Sequence, residues 1–237
     1  MVYEVKETID ETYTSSKAWA EEFTRITLDW FNAHGCTFPW RTTSNPFHIL
    51  VAEILLRQTQ AKRVAGPYQE LVSRYPDAHA LAEADVEELR DWFGPLGLFK
   101  RANYLVKAAK EIAGNYCGEI PNNIEALLRL PGVGTYSARA IHCLAFGSSV
   151  PMIDESSGRL LRRVLGLGYK GPAFADRRLF EKVEVTFAGA ITKSFNLGLL
   201  DLAVQHCRPK SPDCPECPLH DLCTHAKNIR SKYRQIM

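Results

Sequence analysis

Residues 130–138 read Leu-Pro-Gly-Val-Gly-Thr-Tyr-Ser-Ala, and this stretch decides how the chain is built. Pro131 ends one short helix, and Thr135 opens the next. Between them, Gly132 and Gly134 permit a tight turn and let the backbone approach a ligand closely. The N–H groups at the head of the second helix point outward and suit one phosphate oxygen. Taken alone, such a Gly-Val-Gly reads first as a tight αα turn with no ligand. The surrounding chain has to carry any stronger assignment.

Working outward from this hairpin, apolar residues recur at helical spacing almost everywhere and alternating strand-like runs are scarce, so the chain reads as all-α. Residues 17–33 form an amphipathic helix with Trp19, Phe23, Ile26 and Trp30 on one face. Asn45-Pro46 is an N-cap followed by a first-turn proline, opening a helix to about Arg57. Asp77 and Asp85 begin two short helices, Lys100–Asn115 makes a longer one ended by Gly114 and Gly118, and Asn123 starts the helix that stops at Pro131. Beyond the hairpin, helices are expected over 135–146, 157–165, 176–188 and 196–207. No linker or low-complexity stretch separates these pieces.

Near the far end stand Cys207, Cys214, Cys217 and Cys223, spaced C-x6-C-x2-C-x5-C. Pro209, Pro212, Pro215 and Pro218 interrupt any helix there and stiffen the turns between the thiols. Four thiolates in one short loop can close around a tetrahedral zinc or a cubane iron-sulfur cluster. Spacing alone leaves both open, while disulfides or four unrelated buried thiols fit the pattern poorly. Cys36, Cys117 and Cys143 are scattered and read as ordinary thiols.

The 237 residues, 46% hydrophobic and 24% charged, suffice for a substantial core. No apolar run approaches a membrane span, and the N-terminus MVYEVKETIDE lacks the basic-then-apolar order of a signal peptide. Together with reduced thiols, this points to a cytoplasmic protein. The net charge of +2 is unevenly spread: residues 1–35 carry three Lys/Arg and seven Asp/Glu, a net of −4, which leaves +6 for the remainder. Clusters such as Arg159, Arg162 and Arg163, or Arg177 and Arg178, could face a polyanion or simply coat solvated helix faces. Lys227, Arg230, Lys232 and Arg234 make a basic stretch at the end.

In order along the chain, FPWR (38–41), AEILLRQTQ (52–60), LPGVGTYSA (130–138), Asp154 with Arg159, FNLGLLDLA (195–203) and the four-cysteine loop resemble the helix-hairpin-helix DNA glycosylases. Within them, the likeness is to the branch holding the MutY adenine glycosylases and the archaeal mismatch-specific thymine glycosylases, and it spans about residues 36–225. It implies an all-α, two-lobed helix-hairpin-helix DNA glycosylase fold. One lobe is a six-helix barrel over 45–148 that contains the hairpin; the other combines 17–44 with 149–225 and carries the iron-sulfur loop. A flexible tail over 1–16 and a basic tail over 226–237 complete the expected organisation. The resemblance assigns the four cysteines to a 4Fe-4S cluster, with zinc as the rival.

Carried over residue by residue, the resemblance makes Leu130, Gly132, Val133 and Gly134 the hairpin whose backbone amides hold a DNA phosphate, and Asp154 the catalytic carboxylate. The interval from Tyr136 to Asp154 matches the family's own. Gln58, on the helix carrying Glu53, resembles the side chain that fills the gap left by a flipped base, and Glu53 becomes an acid or acceptor that contacts that base. Separately from the resemblance, Arg208 and Lys210, between the first two cysteines, could form a loop resting on phosphate. The chemistry suits these roles: cleavage of an N-glycosidic bond leaves positive charge on the sugar, which a preorganised carboxylate stabilises. The target base must first leave the duplex.

Tyr136 stands where bifunctional relatives place a lysine. A lysine amine would form a Schiff base and allow strand cleavage, and a phenol cannot. A monofunctional, monomeric glycosylase acting on double-stranded DNA with a mismatched or damaged base is therefore expected. Thymine or uracil opposite guanine is favoured by FNLGLLDLA and AEILLR and by a chain that ends soon after the cysteine loop. RQTQ at 57–60 speaks for adenine opposite guanine or 8-oxoguanine, in which case Glu53 would protonate the purine. A non-catalytic DNA-binding module is the competing class, since Ser156 stands where relatives usually have an asparagine.

Overall fold

The computed structural model describes residues 16–94, 97, 99–169 and 171–234. The described residues are helices, 3-10 turns and loops, with no strand among them. Two compact units divide the chain, one formed by residues 1–35 with 153–237 and the other by 36–152.

The second of these units is built around α2 (Pro46–Leu56), opened by the Asn45 side chain, which accepts from the amides of Phe47 and His48. Every residue from Phe47 to Leu55 except His48 is buried. A helix that is apolar all round has to sit at the centre of its neighbours, and α2 packs against α3 (Ala61–Arg74), α6 (Phe99–Asn115) and α8 (Thr135–Phe146). Between these lie α4 (Ala78–Ala82), α5 (Val86–Phe93) and α7 (Ile124–Arg129), capped by Asp77, Asp85 and Asn123 respectively. The sequence pattern hides α3, because Gly66-Pro67 falls inside it. Its buried Val64, Tyr68 and Leu71 nevertheless keep the i, i+4, i+7 spacing. The segment 36–44, grouped on sequence with 149–225, packs in this unit, where Trp40 meets Tyr68 edge-on at 5.4 Å. Gly114 does not end α6; the helix turns over at Cys117 (φ +52°) and Gly118 (φ +83°), whose amide donates to Ile112 O at 3.0 Å.

The other unit centres on α1 (Lys17–His34), capped by Ser16. Trp19, Phe23, Phe187 and Phe195 form a chain of rings, with centroids 5.4 Å apart for Trp19–Phe23, 4.9 Å for Phe23–Phe187 and 5.2 Å for Phe187–Phe195. Rings at these separations contribute about 0.5–1.5 kcal/mol per pair beyond area burial. Helix α11 (Lys193–Gln205) lies close against α1: a Cβ at Gly198 would stand 2.9 Å from Thr27 Cγ2, so the glycine of FNLGLLDLA is a close-approach residue. Its helix starts three residues earlier than the sequence suggests, since Thr192 caps it through the Phe195 amide. Residues 226–234 of the expected basic tail belong to α12 (Thr224–Arg234), and the acidic tail over 1–15 lies outside the described residues.

Also in this unit, α9 (Glu155–Leu165) packs on α10 (Arg177–Thr186) and α11. Arg162, offered on sequence as part of a polyanion-facing cluster, is buried: its guanidinium bonds Asp176 Oδ2 at 2.6 and 3.2 Å and Gly171 O at 3.0 Å, with side chains 7% and 9% exposed in the pair. Burial pushes the Asp176 carboxyl up, but the Arg162 guanidinium and the Leu179 amide outweigh it and hold it below the usual range. A depressed folded-state value stabilises the protein above the unfolded value of about 3.9 and is lost as pH falls through the folded one. Asp176→Asn, which strands the buried guanidinium, is expected to cost about 3–5 kcal/mol at pH 7. Denaturant melts should show that deficit shrinking below about pH 4.

Candidate active site and cysteine loop

In the 36–152 unit the hairpin is the turn from α7 into α8. Gly132 takes φ +86°, a left-handed conformation, and a Cβ there would also stand 2.8 Å from Tyr104 Cβ; glycine is required on both counts. Leu130 and Val133 are buried anchors whose amides donate to Leu127 O and Leu130 O, both at 3.1 Å. Gly134 is exposed and caps α8 without any side-chain acceptor. The open amides therefore lie at the head of α8, where a phosphate oxygen can complete them. Tyr136 is half-buried in the first turn of that helix.

Glu53 sits on α2 with 6% of its surface exposed, an acid inside an otherwise apolar helix. Gln58 is not on that helix. Helix α2 ends at Leu56, and Gln58 projects from the following turn, exposed, at φ +56°. A non-glycine residue in this region is uncommon and strained. Arg57 beside it reaches across to the hairpin, its Nη1 donating to Gly132 O at 2.8 Å while its guanidinium lies 5.9 Å from the Tyr104 ring centroid. Nothing in the sequence marks this bond, since its partners are 75 residues apart.

Asp154 belongs to the other unit, as the N-cap of α9. Its Oδ1 accepts from the Ser157 amide at 2.7 Å and from Ser157 Oγ at 2.8 Å, and its own amide donates to Ser157 Oγ at 3.0 Å. Both bonds to the carboxylate fall on one oxygen, which leaves Oδ2 for another partner. Ser157 is buried, and Gly158 beside it admits no side chain: a Cβ would stand 2.3 Å from Ala173 Cβ. Ser157 and Gly158 thus position the carboxylate, and the signal for them was the capping-box spacing D-x-x-S.

One and two turns further along α9, Arg159 and Arg163 hold the cysteine loop and do not face outward as a free basic cluster. Arg159 Nε donates to Cys207 O at 2.7 Å. Arg163 donates to Arg208 O at 2.8 Å, to Pro209 O at 3.1 Å and to Cys207 Sγ at 3.3 Å. Arg208 and Lys210 are exposed on that loop, Arg208 lying 3.9 Å from Asp213. Cys207, Cys214, Cys217 and Cys223 line one small cavity, of about 20 Å³, with His206 and His220. Burial pushes the Cys217 thiol up to about 12 and raises Cys214 and Cys223 as well, with the neighbouring thiols adding to the effect. Such thiols ionise when a bound cationic centre compensates the charge. His206 Nδ1 and His220 Nε2 are buried beside these thiols without a hydrogen-bond partner. Among the described residues no three His, Cys, Asp or Glu side chains converge closely enough to hold a single metal ion.

Similarity to known proteins follows the same map. Residues 51–187 match the model of the HhH-GPD superfamily of base excision DNA repair proteins. The chain is 39% identical over 217 residues to a thymine-DNA glycosylase of Aeropyrum pernix, covering 90% of this chain and 97% of that one. It is 34% identical over 194 residues to an adenine DNA glycosylase of Mycolicibacterium smegmatis, covering 81% and 66%. Among solved structures, a thermostable thymine-DNA glycosylase superposes with a TM-score of 0.82 at 32% identity, covering 89% of this chain and 98% of that one. With the family's region spanning hairpin, Asp154 and α9, the chain belongs to the HhH-GPD superfamily of base excision DNA repair proteins.

Proposed function

We propose that this chain is a monofunctional DNA glycosylase, acting as a monomer on duplex DNA inside the cell, that flips and excises thymine or uracil mispaired with guanine. The observation that carries the reading is Asp154, with one oxygen tied down by Ser157 at the head of α9. As the C1′–N bond breaks, its electron pair leaves with the base, which is protonated on departure, and positive charge develops on the deoxyribose. A fixed carboxylate lowers that barrier because it needs no reorganisation at the moment of reaction. Water then forms the new C1′–O bond and loses a proton, leaving an abasic site. The head of α8 holds a strand phosphate, Gln58 fills the vacated stack, and Glu53 hydrogen-bonds the extruded base. The phenol of Tyr136 offers no amine for a Schiff base.

The pyrimidine assignment rests on the 39% identity to the thymine-DNA glycosylase. Adenine is the second reading, favoured by RQTQ at 57–60, where Glu53 would protonate the purine. The four cysteines fit a 4Fe-4S cluster. Four thiolates lining one shared cavity can saturate such a cluster, with zinc as the rival. When bound, the cluster supplies a cross-link with no open position for substrate. Arg208 and Lys210 then ride on a rigid loop against phosphate.

Asparagine is as good an N-cap as aspartate, so Asp154→Asn is expected to stay within about 0.5 kcal/mol of wild-type stability while losing on the order of 10²-fold or more in single-turnover excision. Abasic-site assays on G·T, G·U, A·G and A·8-oxoguanine duplexes read this directly. Wild-type binding with no base release would leave a DNA-binding module, and a borohydride-trapped adduct in quantity would overturn monofunctional chemistry. Purified protein should contain about four irons per chain; colourless, zinc-loaded protein would reverse that assignment. Lys210→Glu should weaken binding to all sequences alike and lower the salt slope by about one.

A further inference from the structure

Three local costs converge on the turn after α2. Gln58 holds φ +56°. Arg57 and Arg101 lie close enough to repel, and neither has a carboxylate partner among the described residues; burial and the Arg57 charge together lower the Arg101 pKa. Arg101 Nε is buried with no partner. Against these stand two long-range bonds. Arg101 Nη2 donates to Arg57 O at 2.7 Å, gripping the peptide that leads into Gln58. Arg57 Nη1 donates to Gly132 O at 2.8 Å, on the hairpin. A fold that keeps strain, like charges and an unmet donor in one turn uses that turn for something beyond stability.

Resting on the glycosylase reading above, we infer that Arg57 and Arg101 are positioning residues: they lock the Gln58 tip to the phosphate-holding hairpin, so that seating the strand phosphate and driving Gln58 into the stack are one movement. The Arg101 bond fixes the carbonyl preceding Gln58, and with it the left-handed backbone that points the side chain outward. Thr59 Oγ1 donates to the same carbonyl at 3.4 Å. The Arg57 bond sets the distance between tip and hairpin. Neither guanidinium is thereby assigned to the DNA itself. The tip is held from inside the protein, and only Gln58 enters the duplex.

The test uses the full-length, cluster-loaded protein with Arg57→Met, Arg101→Met and Arg101→Lys. Arg57 is exposed, so its variant stays folded even if Arg101→Met does not. Excision is measured on a G·T duplex and on the same strand with its target inside a bubble of mispairs, where the helix is already open. In parallel, 2-aminopurine beside the target reports unstacking on binding, read in the Asp154→Asn background where base release is slowed on the order of 10²-fold or more. Expected is a loss of about 10- to 100-fold on the duplex, as displaced positioning groups produce, about threefold or less on the bubble, and a weaker fluorescence rise. Arg101→Lys should recover part of each, and salt slopes should stay unchanged. Equal losses on duplex and bubble, no loss on either, or a slope reduced by about one per arginine would each overturn the inference. Should the wild type release no base at all, the glycosylase reading fails, while the fluorescence rise still decides whether the two arginines drive the tip.

Discussion

Ser157 gives both its amide and its hydroxyl to a single oxygen of Asp154, and the organisation of the 153–237 segment depends on that pairing. A carboxylate at a helix head is drawn to the N–H groups there and to the helix dipole. The same helix carries Arg159 and Arg163 down its next turns, and these hold the carbonyls of Cys207, Arg208 and Pro209. One helix therefore sets the Asp154 carboxylate at its head and the cysteine loop along its side. Gly158 against Ala173 and the buried Arg162–Asp176 pair fix the helix in place.

The 36–152 unit holds the hairpin together with Glu53 and Gln58. Helix α2, buried on all sides, is the post around which the hairpin and the Gln58 turn are arranged. Tyr104 closes on Gly132, near enough that a Cβ would collide with it, and Ile54 lies at ordinary contact distance. The amides at the head of α8 are left without a side-chain cap. With Gly134 as the N-cap that omission costs only roughly a few tenths of a kcal/mol, and it leaves those amides open to an outside acceptor.

What the sequence made legible was local. Asn45, Asp77, Asp85 and Asn123 cap helices where their positions suggested, because a cap is decided within three residues. The 135–146 helix agrees for the same reason, with an αL glycine closing it at Gly147. The ordered set of motifs gave the family. Contacts made far along the chain stayed hidden. Arg162 resembled one of three outward charges because its partner Asp176 lies 14 residues on and its role is set by burial. FPWR joined the wrong neighbours because only the Trp40–Tyr68 contact places it. Gln58 looked helical because nothing in RQTQ announces that α2 stops at Leu56.

The residue after Glu155 shows how the two kinds of information combine. On sequence, Ser156 in place of the usual asparagine leaves a non-catalytic module as the competing class, since a hydroxyl has fewer donors than an amide with which to orient the carboxylate. In the structure the orienting group is the next residue. A serine hydroxyl both donates and accepts, so Ser157 closes a reciprocal cap with Asp154 that an amide at 156 is not needed to complete. Oδ1 is thereby fixed whatever stands at 156.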